Sequence, residues 1–94
     1  MAIVYKLFSK TCNSFYIGST TKTLRQRLVK HRSKSNEAPN RKVYKCILES
    51  GGFAEWEMEA LEVFDTDSAR ERRTREQYYI NMLKPDLNSC LAIV

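Results

Sequence analysis

Arg27 and His31 stand four residues apart in a stretch that also carries Leu24 and Leu28 at helical spacing. Side chains so spaced lie one above the other on one helix face, and the leucines aim that face at the protein body. An imidazole there can accept or relay a proton near neutral pH, and a planar guanidinium offers two directed bonds to a phosphate oxygen or a carboxylate. A half-buried histidine with satisfied nitrogens fits the same pattern. Glu76 poses a sharper question, because it falls on the inward stripe of a second helix with Ala69, Arg72 or Arg73, Tyr79, Ile80 and Leu83. A carboxylate facing a core is costly unless a cation, a metal or a hydrogen-bond network receives it. An ion pair with a neighbouring arginine and a bound metal ion would both meet that need.

Two phenols join these groups through a predicted hairpin. Ile3 to Phe8 and Phe15 to Gly18 are rich in aromatic and β-branched residues, and the turn-prone Ser9 to Ser14 lies between them. If Ser9 faces Ser14 across a four-residue loop, Leu7 lies opposite Tyr16 and Tyr5 opposite Gly18. Tyr5 and Tyr16 then share a face as diagonal neighbours roughly 7–8 Å apart, with space beside Tyr5 where Gly18 lacks a side chain. A loop of odd length would separate the two rings.

The remaining elements must carry the helical groups to that hairpin. Candidate N-caps from Ser19 to Thr23 precede a helix that runs to about Ser33, and Ser33 to Arg41, with Pro39, reads as a loop. Val43, Cys46 and Ile47 form a short helix ended by Gly51 and Gly52. Trp56, Met58 and Ala60 alternate with Glu55, Glu57 and Glu59, the period of a strand with one wet face, extending to about Phe64. Ser68 and Glu71 have capping-box spacing for a helix that reaches Leu83 before Pro85. Beyond it, Asn88 sits in a turn where it can bond backbone or reach a site. The order is β-β-α-α-β-α and the expected class α+β.

A length of 94 residues suits one domain, taken as 1–94. No apolar run approaches the ~20 residues that span a bilayer, and no secretory leader is recognisable. The expected setting is intracellular, cytoplasm or nucleus, with no membrane partner. Cys12, Cys46 and Cys90 form no C-x-x-C pair, which argues against zinc and disulfides; Cys46 reads as a small core residue and the other two as incidental.

The net charge of +5 is unevenly spread: Lys22 to Lys45 holds nine Lys or Arg residues and one acidic residue, Glu37. Arg70, Arg72, Arg73 and Arg75 form a second basic cluster, whereas Glu55, Glu57, Glu59 and Glu62 gather between the two. Such a basic face suits a polyanion, since each phosphate contact releases condensed counterions, although a merely solvated basic surface has the same composition. The expected phosphate contacts are Lys22, Arg25, Lys30, Arg41 and Lys42.

Taken together, Tyr5, the triplet Tyr16-Ile17-Gly18, Arg27 with His31, Glu76 and Asn88 resemble the GIY-YIG nuclease pattern in order and approximate spacing, from the first strand to Asn88. One departure is visible, since Ile3-Val4-Tyr5 stands where the family name has Gly-Ile-Tyr; the tyrosine is kept and no functional group is removed. The resemblance implies a three-stranded antiparallel sheet flanked by helices, with the site on the sheet surface. It also implies an endonuclease that hydrolyses phosphodiester bonds of nucleic acid, DNA above all, with one Mg²⁺ or Mn²⁺ ion on Glu76. A separate targeting domain is not expected after Asn88, so sequence selectivity should be modest.

On that resemblance Arg27 neutralises the phosphoryl group, and Tyr5 acts as general base or orients the attacking water while His31 accepts its proton. Tyr16 bonds the water or the phosphate, and Asn88 orients Glu76 or the substrate backbone. The alternatives are a non-catalytic nucleic-acid-binding module of the same fold and a protein-interaction domain. The enzyme is favoured because a pure binding module gains nothing from a carboxylate beside phosphate unless a metal intervenes.

Overall fold

The computed structural model describes residues 1–10 and 12–88, so Cys90 lies outside the described residues. Strands β1 (Ala2–Ser9) and β2 (Cys12–Thr20) form the hairpin, followed by helices α1 (Leu24–Glu37) and α2 (Lys42–Glu49). A 3-10 turn at Phe53–Glu55 leads into β3 (Trp56–Phe64), and α3 (Ala69–Leu83) closes the series. The sheet is antiparallel in the order β2-β1-β3, which makes this the α+β architecture expected from the sequence. Among the described residues no helix is long and apolar enough to cross a membrane.

As the central strand, β1 is covered on both faces, and Ala2, Val4, Tyr5 and Leu7 are fully buried. Its pairing with β2 has the expected register, Tyr5 opposite Gly18 and Leu7 opposite Tyr16. The loop does not. Pairing shifts between Phe8 and Ser9 so that Ser9 meets Cys12 instead of Ser14, and β2 therefore starts three residues before Phe15. Cys12 consequently packs against the core beside Cys46 rather than being incidental; both thiols are free and half-buried.

The alternation read for β3 holds only at its start. Trp56 is buried and Met58 half-buried, but Ala60 is exposed. Val4 pairs with Glu62 and Tyr5 with Ala60, which leaves Leu61 as an extra residue. Such a bulge changes which side chains share a face. It puts Glu62 on the face of Val4, where Arg75 and Tyr79 of α3 bond it.

Thr23 starts α1 with a full capping box: its Oγ1 accepts from Gln26 N, and its own N donates to Gln26 Oε1. The helix continues four residues past the expected end at Ser33 and stops at Ala38, whose position before Pro39 disfavours helical backbone. Gly51 and Gly52 terminate α2 with φ of 92° and 81°. At the start of α3, Ser68 Oγ accepts from Glu71 N without the reciprocal side-chain bond, and left-handed Lys84 caps the end. One face of the sheet, through Ile3, Tyr5 and Leu7, packs on Val43, Tyr44 and Ile47 of α2 with Leu24 and Leu28 of α1. From the other face α3 lies against β2 and β1; none of its residues is fully buried, and Leu83, read as inward, is exposed.

Candidate active site

The site begins where the hairpin has no side chain. A Cβ on Gly18 would lie 2.5 Å from Tyr5 Oη and 3.0 Å from Tyr16 Cε1, so Tyr5 leans across the glycine toward the β2 edge. The Tyr5 and Tyr16 rings stand 6.5 Å apart between centroids, on one face as the register requires. Helix α1 then sets His31 edge-on to both, at 5.8 Å from Tyr5 and 5.7 Å from Tyr16. Tyr44 of α2 meets His31 from the far side at 5.8 Å, with the Arg41 guanidinium over its own ring.

Hydrogen bonds order these groups into a chain. Arg27 Nε donates to Tyr5 Oη at 3.0 Å, Tyr5 Oη lies 2.6 Å from His31 Nε2, and His31 Nδ1 lies 3.0 Å from Tyr44 Oη. Burial, reinforced by Arg27, Arg41 and Lys34, holds the His31 pKa down at about 3, so the ring is neutral and carries one proton. Tyr5 already accepts from Arg27, and its buried hydroxyl hydrogen needs an acceptor, which His31 Nε2 supplies. The ring proton is thereby assigned to Nδ1, donating to Tyr44.

This polarity bears on the transfer expected from Tyr5 to His31. Burial pushes the Tyr5 hydroxyl well above its ordinary value, with Tyr16 adding to the rise and Arg27 opposing it. Donor and acceptor are thus both shifted against transfer in this state. Tyr5 is also 0% exposed and His31 1%, whereas Tyr16 is only half-buried. Its pKa is raised too, by burial first and Glu76 second.

Glu76 reaches the same place from the opposite face of the sheet. Ser19, one residue after Gly18, donates to Glu76 Oε1 at 2.5 Å. Burial raises the Glu76 pKa, while the Ser19 bond and then Arg72, Arg27 and Arg73 pull it down. The ion pair with an arginine that the sequence allowed is not formed: among the described residues the ion pairs are Lys10 with Glu57 and Arg75 with Glu62. A desolvated carboxylate held by one hydroxyl, with cations only at longer range, has the chemistry to take a hard ion that keeps most of its waters. Among the described residues no cluster of three or more His, Cys, Asp or Glu side chains could hold a metal ion.

Of the two tasks the sequence left open to Asn88, the structure shows the bonding of backbone. Its Oδ1 accepts from Ile17 N at 3.0 Å and its Nδ2 donates to Ile17 O at 2.7 Å. Asp86 accepts from Phe15 N, and Leu87 N donates to Phe15 O. The turn after α3 thus stitches itself to β2 on either side of Tyr16, and Asn88 fixes that strand rather than Glu76.

The basic residues divide. Lys22, Arg27 and Lys30 line an open cleft of about 250 Å³ with Ser19, Thr21 and Arg72. Arg41 lies within electrostatic reach of Tyr16 and His31. Lys42 instead faces Asp86, and Arg25 is exposed. Ser19 and Tyr44 escape a sequence reading of the site. Ser19 hides in a run of hydroxyl residues read as caps, and Tyr44 shares the apolar stripe of Val43 and Ile47.

A family model described as the GIY-YIG catalytic domain matches residues 1–88, from the first strand to Asn88. No curated protein and no solved structure matches the chain.

Proposed function

The chain belongs to the GIY-YIG family, a family of nucleases, and we propose that it is a metal-dependent endonuclease that hydrolyses phosphodiester bonds in DNA at the β2 edge. The observation that carries this reading is the convergence of Arg27 and Glu76, from helices on opposite faces of the sheet, on Gly18 and Ser19. A basic cleft alone would suit a binding module. A half-buried carboxylate beside it, with no ion-pair partner among the described residues, suits a metal.

Arg27 has its Nε engaged by Tyr5, which leaves the two terminal nitrogens to grip a non-bridging phosphate oxygen in the cleft. Glu76 would hold one Mg²⁺ or Mn²⁺ ion, which when bound supplies positive charge to the phosphoryl group and the leaving 3′ oxygen. Tyr16, the less buried of the two phenols, orients the attacking water. Tyr5 and His31, closed to solvent, position Arg27 instead of meeting that water, and Asn88 keeps Tyr16 in place through Ile17. This moves the water-orienting role from Tyr5 to Tyr16, because only Tyr16 is open to it.

Plasmid DNA incubated with the protein, with and without Mg²⁺ or Mn²⁺ and beside Glu76→Ala, tests the reading. Metal-dependent nicking that the variant loses supports it. Binding without cleavage in any metal, on DNA or RNA, overturns it in favour of the binding module.

A further inference from the structure

Arg72 is the one guanidinium of α3 whose surroundings do not account for it. Arg75 on the same helix has the Glu62 carboxylate and the rings of Tyr78 and Tyr79, and Arg70 and Arg73 are exposed to water. Arg72 is half-buried, with no ion pair among the described residues. Its Nε is buried with no hydrogen-bond partner. Among the described residues Nη1 reaches only Ser19 O and Ser19 Oγ, both at 3.4 Å, the weak end of the hydrogen-bond range. A guanidinium has five N–H donors, and withdrawing one from water without acceptors is unfavourable unless an anion completes its shell.

The cleft next to it is lined to receive an anion. Arg72 lines it with Arg27, Lys22 and Lys30, and no carboxylate belongs to the lining. Arg72 also lies one turn before Glu76 and shares Ser19 with it. We propose that Arg72 grips a backbone phosphate of the substrate next to the one held by Arg27, so that the two arginines bracket the scissile bond from α3 and α1. This rests on the nucleic-acid reading above and adds a binding residue outside the Tyr5, Tyr16, Arg27, His31, Glu76 and Asn88 set. The competing role is structural, with Arg72 merely propping Ser19 for Glu76.

Binding of a short fluorescein-labelled DNA duplex in EDTA, followed by anisotropy across a NaCl series, separates these roles. For Arg72→Gln the expected result is several-fold weaker binding and a slope of log K against log salt reduced by about 0.9, the loss of one phosphate contact. Arg72→Lys should keep the wild-type slope. Unchanged affinity and slope in a folded Arg72→Gln protein overturns the proposal, even if cleavage falls. A second measurement needs no variant fold: the assigned Nε–H resonance of Arg72 in the ¹⁵N-labelled wild type should shift when the duplex is added, and a resonance that stays in place overturns the proposal. A wild type that binds but cleaves nothing, while Arg72→Gln loses one contact from the slope, contradicts the nuclease reading and supports the Arg72 contact; failure of the wild type to bind contradicts both.

Discussion

Tyr5 Oη and His31 Nε2 stand 2.6 Å apart in a bond closed to solvent, joining the middle of the central strand to the helix that carries Arg27. The relationship gives both side chains a positioning task. The hydroxyl that accepts from Arg27 is itself held by the imidazole, and the imidazole is held by Tyr44.

A neutral buried histidine should appear in the pH dependence of stability. The unfolded chain binds a proton at position 31 near the ordinary value of about 6.5, whereas the folded protein does so only near 3. Between those values the unfolded state holds the extra proton, so stability is fully present above 6.5 and falls as pH drops toward 3. The loss is at most about 1.4 kcal/mol per pH unit. Urea unfolding between pH 4.5 and 7.5 should show a shallower dependence for His31→Gln than for wild type. Equal slopes would mean that His31 is not buried as a neutral ring.

Gly18→Ala places a methyl group against the Tyr5 hydroxyl and the Tyr16 ring. Overpacking of this kind typically costs about 1–3 kcal/mol, and displacement of Tyr5 releases Arg27 as well. Thermal denaturation should show the loss of stability, with cleavage reduced at least tenfold. A variant with wild-type melting and rate would contradict the close approach of Tyr5 to the strand.

Asn88→Ala frees the backbone N–H and C=O of Ile17. Losing two hydrogen bonds to a strand edge should cost about 1–3 kcal/mol in urea unfolding. Because Asn88 does not bond Glu76, the Mg²⁺ concentration for half-maximal cleavage should stay as in wild type. A large rise in that concentration would put Asn88 back beside the metal ligand.

Much of this arrangement is legible in the sequence because it depends on periodicity. Alternation places Tyr5 opposite Gly18 although the loop differs from the one expected, and a spacing of four places His31 behind Arg27. What escapes is contact between distant segments. Leu61 forms a bulge with no glycine or proline to mark it, so Glu62 changes face and finds Arg75. The hydroxyl that receives Glu76 is chosen by the packing of α3 on β2, a tertiary event that leaves Ser19 looking like any other residue of a capping run. Asn88 is readable as important, but its target is two backbone atoms 71 residues away.

The most direct test measures DNA binding and single-turnover cleavage on the same labelled substrate for wild type, Arg27→Ala and Glu76→Ala in saturating Mg²⁺. Convergence of the two groups on one phosphate gives binding within several-fold of wild type and cleavage slowed by about 100-fold or more in each variant. Near-normal cleavage in either variant, or a loss of rate that merely follows a loss of binding, would contradict it.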